Sequence, residues 1–448
     1  MTSSAIFTDL YELRMAAAYL RRSMSGPATF SLFVRGLPAE RGFLVVAGLA
    51  DVLTYLEEFH FTAQDVAHLR EGLGLPAEAA AALGRLRFTG DVWAVPEGRV
   101  VLAGEPLLEV TAPIAEAQLV ETALLNILTY QTAIASKAAR CRLAAGSAQL
   151  IDFAARRTHG RQAALAAARA CTIAGYAATS NVEAAHRFGL RAAGTMAHSF
   201  IEAFPSEEDA FTAFAADYPT DTVFLVDTYD VAAGVRTAIA VTRRLELPAP
   251  IGIRLDSGDL LADARTARRL LDDAGLPTAR IVASGGLDEY AVADLLARGA
   301  PIDAFGVGTK IGVSADAPAL DSAYKLVSYA GRPVMKLSPG KVTLPGPKQV
   351  YRRTADPLAD IITRRSEPPP PDQLPLLVPV MSGGRRLSRG DADGLVAAAE
   401  RCTDDLARLP EPARRIHWPV APVPRISPSL ARLRDEVTGA LVRRTVRA

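Results

Sequence analysis

Two glycine turns late in the chain carry the plainest chemical signal. The run IVASGG (281–286) is apolar until it ends in Ser284, Gly285 and Gly286, and it leads into the helical stretch LDEYAVADLLARG. Backbone N–H groups in such a turn, and the helix N-terminus behind it, can receive an anion. The run AFGVGT (304–309) ends the next unit in the same way, with Gly308 and Thr309 at its turn. Either turn alone is equally a tight bend that needs glycine, but the pair in succession points to phosphate. Arg254, Asp256 and Asp259 form a second cluster. An arginine grips a planar carboxylate or phosphate in a bidentate fork, while carboxylates order ribose hydroxyls or a magnesium ion. The same residues can instead make an internal ion pair, with Ser257 and Asp259 capping the following helix. Asp227 in LVDTYD is open to the same two interpretations. His198 follows an apolar run, where a histidine is more often structural, yet a neutral imidazole beside a phosphate cradle can attack a phosphoryl group. Phe153 with Arg156 and Arg157 offers a stacking face beside cations for a flat aromatic acid, or else a core phenylalanine beside surface arginines.

These side chains fall near the ends of six short apolar runs: 150–157, 192–199, 223–230, 251–259, 281–286 and 304–309. Such runs suit strands buried on both faces, and the stretches between them are long enough for crossover helices. The class is therefore α/β, a βα barrel in outline, with its chemistry at the carboxyl ends of the strands. A chain of 448 residues exceeds a single core, so several domains are expected. Residues 1–145 read as an α+β domain ending in a long connecting helix, 146–330 as the barrel, and 331–448 as strands, a proline-rich connection at 368–371 and accessory helices near 391–409 and 429–446. Before the barrel, FLVVAGLADVLTYLEEF reads as a helix and 88–113 as a small antiparallel unit. A formal charge of +1 excludes a broad electrostatic footprint for nucleic acid or membrane. Cys141, Cys171 and Cys402 are scattered without zinc-ligand spacing, which fits a reducing, cytoplasmic setting. No basic-then-apolar leader and no run of membrane-spanning length is visible.

Taken together and in order, TDLYEL, DFAARR, ATSNVEAA, GTMAHSF, LVDTYD, IRLDSGDL, ASGGLDEY and FGVGTK resemble the nicotinate phosphoribosyltransferase family over roughly residues 8–351. The resemblance implies a type II phosphoribosyltransferase, an irregular βα barrel with an N-terminal α+β domain, working as a homodimer. It implies transfer of phosphoribosyl from phosphoribosyl pyrophosphate to nicotinate, coupled to ATP hydrolysis, in NAD salvage. It also implies roles. His198 would be transiently phosphorylated, and Tyr11 would reach into the partner subunit's site opposite Phe153. Arg254, Thr195 and Arg156 would lie near nicotinate. Asp227, Asp256, Ser257, Ser284, Gly285, Gly286, Gly308 and Thr309 would line the ribose and phosphate sites. Mg²⁺ would be held mainly by substrate phosphates and waters. Relatives often have glycine in the Phe-x-x-Arg-Arg turn, where this chain has Ala154 and Ala155. The competing expectations are a nicotinamide or quinolinate phosphoribosyltransferase and, from another class, a flavin-binding barrel oxidoreductase that uses the glycine turns for a cofactor phosphate.

Overall fold

A computed structural model describes residues 5–248, 250–338, 343–353, 355, 358–388 and 394–446. It separates into two compact units: Lys137–Pro318, and Met1–Ser136 together with Ala319–Ala448. The division falls inside the helix Glu121–Ala145.

Within Lys137–Pro318, six strands form one parallel sheet: β1 (Gln149–Asp152), β2 (Ala178–Thr179), β3 (Val223–Leu225), β4 (Gly252–Leu255), β5 (Arg280–Ala283) and β6 (Ala304–Val307). Their spatial order is β2-β1-β6-β5-β4-β3, so the strand ends carrying the two glycine turns are neighbours. The sheet is a curled half-barrel of the mixed α/β kind. Its strands are short and mostly apolar because helices cover them; Phe224, Ile253, Ile281 and Phe305 are wholly buried. Helices Val231–Arg244 and Leu260–Asp273 follow β3 and β4, each started by an aspartate, Asp230 or Asp259, whose carboxylate takes first-turn N–H groups. The helix after β5, Glu289–Ala297, is fastened from below: buried Glu289 meets Lys137 at 2.7 Å and Arg140 at 3.0 Å.

The run 192–199 is not a strand. Its alanines and glycine give little to pack on a pleated surface, and only Ala192 bridges, in parallel, to Thr179. The sixth strand is instead β2, two residues within ATSN, too short to show as an apolar run.

In the other unit, a seven-stranded sheet takes strands from both ends of the chain. Pro27–Val34 pairs antiparallel with Pro106–Pro113 and with Ser322–Tyr329, and Val378–Ser382 adds beside Asp91–Ala94. Buried ions join the segments, among them Arg352 with Asp360 and Asp405, the latter at 2.7 Å. FLVVAG begins with a strand, Leu44–Val45, and the helix starts only at Leu49. Two consecutive valines in an apolar run favour extended backbone over helix. The later helices span Leu395–Arg408 and Pro428–Val446; residues 391–393, where the first was expected to begin, lie outside the described residues. No helix among the described residues is long and apolar enough to cross a membrane.

Candidate active site

Because the six strands are parallel, their carboxyl ends share one edge, and the chemistry-bearing residues gather there. Arg254 is the hub. From near the end of β4 its Nε donates to Ser284 Oγ at 2.8 Å, its Nη1 to Thr195 Oγ1 at 3.1 Å and to the Met196 carbonyl at 3.5 Å, and its Nη2 to Asp256 Oδ1 at 2.6 Å. Four of its five N–H donors are thereby used, which leaves one on Nη2. The guanidinium carbon also lies 5.4 Å from the centre of the half-buried Phe153 ring at the end of β1. A cation over an aromatic face is attractive, and the pair forms a flat, positively charged wall.

Asp256 accepts from the Ser284 hydroxyl as well as from Arg254. Burial alone would raise its pKa; the Ser284 bond, the Arg254 charge and bond, and the charge of His198 together hold it below the ordinary aspartate value. Asp227, just beyond β3, receives the Asp256 N–H at 2.9 Å and the Ser257 hydroxyl at 2.7 Å on one oxygen. Its other oxygen, Oδ1, is buried without a hydrogen-bond partner. Among the described residues no group of three or more His, Cys, Asp or Glu side chains is placed to hold a metal ion.

The glycine turns are shaped by close approach. Gly285 has φ +95°, and a Cβ there would lie 1.9 Å from the Asp256 carbonyl oxygen. At Gly306 a Cβ would come within 2.4 Å of the Phe153 ring, and at Gly308 within 2.8 Å of the Phe153 carbonyl oxygen. Among the described residues nothing accepts from the N–H groups of Gly285, Gly286, Gly308 or Thr309. Those four amides are free to donate to a ligand. The helix N-terminus, expected from the sequence to share this task, is already occupied: Asp288 accepts from Tyr290 N–H at 3.1 Å and Ala291 N–H at 3.0 Å. Asp288 also meets Lys310 at 2.8 Å, tying one turn to the other. Gly285→Ala must push the Asp256 backbone away at a positive φ, an overpacking that costs about 1–3 kcal/mol. The melting temperature should fall by several degrees, and an unchanged melt would contradict this packing.

His198 opens the short helix His198–Glu202 rather than ending a strand. It remains beside the cluster through Nδ1, 3.1 Å from Thr228 Oγ1. Thr228 was not singled out from the sequence, although it follows Asp227 directly in LVDTYD. Arg156 stands apart: it is exposed in the turn after β1 and enters none of these bonds. Tyr11 belongs to the other unit, on the helix Leu10–Arg21, with its side chain 48% exposed. The structure thus gathers Phe153, Thr195, His198, Asp227, Arg254, Asp256, Ser257, Ser284 and the two glycine turns, while Arg156 makes no hydrogen bond to this cluster.

Residues 6–129 match the family model of the nicotinate phosphoribosyltransferase N-terminal domain, and residues 134–323 that of the quinolinate phosphoribosyl transferase C-terminal domain. Nicotinate phosphoribosyltransferase pncB2 of Mycobacterium tuberculosis is 48% identical over 443 residues, covering 97% of this chain and 95% of the relative. Nicotinate phosphoribosyltransferase of Bacillus subtilis is 45% identical over 362 residues, covering 78% and 73%. The crystal structure of human nicotinic acid phosphoribosyltransferase matches with a TM-score of 0.84 at 28% identity, over 96% of this chain and 99% of that one. Identity of this extent along nearly the whole sequence leaves one conclusion: the chain belongs to the nicotinate phosphoribosyltransferase family.

Proposed function

We propose that the protein is a cytoplasmic nicotinate phosphoribosyltransferase, which joins nicotinate to the ribose of phosphoribosyl pyrophosphate, releases pyrophosphate, couples the step to ATP hydrolysis and so serves NAD salvage. The observation that carries this reading is the Arg254–Phe153 wall standing beside two neighbouring glycine turns with unoccupied amides. A flat acid stacks on Phe153 and offers its carboxylate to the guanidinium, while phosphates take the N–H groups of Gly285, Gly286, Gly308 and Thr309.

Departure of pyrophosphate builds positive charge on the ribose and negative charge on the leaving group. Asp256 and Asp227 supply fixed negative charge for the first, with Ser257 and Ser284 holding the two carboxylates in place. Asp227 Oδ1, an oxygen without a partner, suits a hard cation, so Mg²⁺ carried in by the substrate phosphates would find one protein ligand there and would neutralise leaving-group charge. Because Asp256 has a depressed pKa, it stays ionised as pH falls into the ordinary aspartate range near ~3.9 and loses its charge only below it.

His198 receives the ATP phosphoryl group in this proposal. In the tautomer that carries its proton on Nδ1 and donates it to Thr228, Nε2 keeps its lone pair. That pair attacks the γ-phosphorus as ADP leaves, and water later releases phosphate and restores the imidazole. Tyr11 completes the nicotinate site from the partner subunit of a homodimer, in keeping with the exposed apolar side chains Phe7, Leu10 and Tyr11. Loss of such a stack, worth about 0.5–1.5 kcal/mol, should weaken nicotinate binding up to roughly tenfold in Tyr11→Ala. At nicotinate concentrations too low to saturate Tyr11→Ala, mixed Tyr11→Ala and His198→Ala dimers should regain ATP-coupled activity, since one of their two sites has both residues intact. No recovery despite proven subunit exchange would exclude a shared site.

The direct test supplies the purified protein with nicotinate and phosphoribosyl pyrophosphate, with and without ATP. Nicotinate mononucleotide and pyrophosphate should form in equal amounts, more completely when ATP is present. A protein that makes neither and carries bound flavin absorbance would favour the oxidoreductase instead.

A further inference from the structure

Asp152 is a buried carboxylate that none of the roles above uses; it is 1% exposed and stands directly before Phe153 at the end of β1. Its two oxygens are each committed. Oδ1 accepts from the Ala154 N–H at 2.8 Å, and Oδ2 accepts from the Thr179 hydroxyl at 2.7 Å. The first bond turns the chain out of the strand just after Phe153. The second crosses to β2, where the Thr179 oxygen in turn accepts from the Asn181 N–H at 3.1 Å, and the Asn181 side chain caps the helix Val182–Phe188 through the Ala184 N–H at 3.1 Å.

Phe153 is therefore held from both sides in sequence. Its own N–H donates to the Val307 carbonyl at 2.8 Å, and the next amide is held by Asp152. Its ring meets Gly306 and the Arg254 guanidinium, so a small rotation of the turn would move the face on which a flat ligand rests. Both donors to Asp152 are neutral, and burial pushes its pKa up despite them. Burying a charge with neutral partners alone is costly, and polar replacements that only fill space would avoid the cost. The bond pattern nonetheless needs an acceptor on each side. The Thr179 oxygen already receives Asn181 and must give its proton away, while Ala154 can only donate. A carboxylate serves both, whereas a carboxamide has one acceptor atom.

We infer that Asp152 is a positioning residue for nicotinate: its paired bonds to Ala154 and Thr179 set the plane of Phe153, and it does not itself touch substrate. The inference rests on the proposed assignment of Phe153 to nicotinate. Steady-state kinetics with nicotinate and phosphoribosyl pyrophosphate varied separately test it, on wild type, Asp152→Ala, Asp152→Asn and Thr179→Val, with melting temperatures measured alongside. Asp152→Ala should raise KM for nicotinate about tenfold, roughly 1.4 kcal/mol, while leaving KM for phosphoribosyl pyrophosphate unchanged. Asp152→Asn keeps one acceptor and should fall between wild type and Asp152→Ala. Thr179→Val removes one donor with the carboxylate intact and should shift nicotinate in the same direction; together with Asp152→Asn it decides the matter should Asp152→Ala fail to fold. Lower melting temperature with an unchanged nicotinate KM would make Asp152 a stability element only and overturn the inference, as would an equal rise for both substrates. A wild type that forms no product from nicotinate, by contrast, overturns the reading of the site and the inference with it.

Discussion

His198→Ala should abolish ATP turnover while leaving slow, uncoupled phosphoribosyl transfer. The separation follows from the geometry. His198 bonds to Thr228, and its influence on the Arg254–Ser284–Asp256 cluster is through charge on Asp256 alone. Removing the imidazole therefore takes away the nucleophile for the ATP phosphoryl group without removing a hydrogen bond from Arg254. Losing an attacking group costs on the order of 10⁴–10⁶ in rate where it forms a covalent intermediate. Phosphate release from ATP should drop to background, and the acid-labile, base-stable label that wild type acquires should vanish. Transfer without ATP should continue, since Phe153, Arg254 and the four turn amides are untouched. Full, acceptor-dependent ATP hydrolysis by the variant would remove His198 from the account.

Arg254→Ala should have the second largest effect, and it should be selective. The guanidinium offers charge-assisted bonds, worth about 1.5–3 kcal/mol each to a charged partner, so KM for nicotinate should rise by ten- to a hundredfold or more. KM for phosphoribosyl pyrophosphate should move less, because the proposed phosphate donors are backbone N–H groups of Gly285, Gly286, Gly308 and Thr309, in the turns that follow two other strands. A change in pH dependence should accompany it. The Ser284 bond and then Arg254 are what hold the Asp256 pKa down against burial, so without the arginine that pKa must move up. The charge on Asp256 is then lost at a higher pH, and the acid limb of kcat/KM should shift toward neutrality. Arg254→Lys keeps the charge but not the fork and should restore the pH profile better than the nicotinate KM. Equal damage to both substrates with an unmoved acid limb would contradict the pocket assignment.

Much of this site was legible because its residues lie where a strand ends, and strand ends have grammar. Runs such as IGIRLDS and IVASGG change abruptly from apolar to polar or glycine, and the parallel sheet brings those breaks to one edge. The same grammar misled at AAGTMAHS, which is apolar in composition but made of small residues; it runs as a loop into the helix that His198 opens. β2 escaped notice for the opposite reason, being two residues long in a polar context. The anion donors were placed only in part. Sequence gives the turn and the helix start together, but not that Asp288 has already filled the helix start, because a capping bond is a matter of side-chain direction. Arg156 follows Phe153 closely in the chain and is exposed in the turn that Asp152 begins, a placement that the order of residues does not give. The association of the C-terminal strands with those near the N-terminus was not legible either. Pairing of Val378–Ser382 with Asp91–Ala94 is a contact across most of the chain, and nothing local encodes it.

The most direct measurement is acceptor choice by the unmodified protein. Nicotinate, nicotinamide and quinolinate are offered together, at equal concentration, with phosphoribosyl pyrophosphate, Mg²⁺ and ATP, and the mononucleotides are separated by mass. Nicotinate mononucleotide should be the dominant product, because the single free Arg254 donor beside the Phe153 face answers one carboxylate on a flat ring. Little product should come from nicotinamide, which brings no charge to that arginine. Equal use of the acid and the amide, or product from quinolinate with loss of carbon dioxide, would contradict this reading of the site.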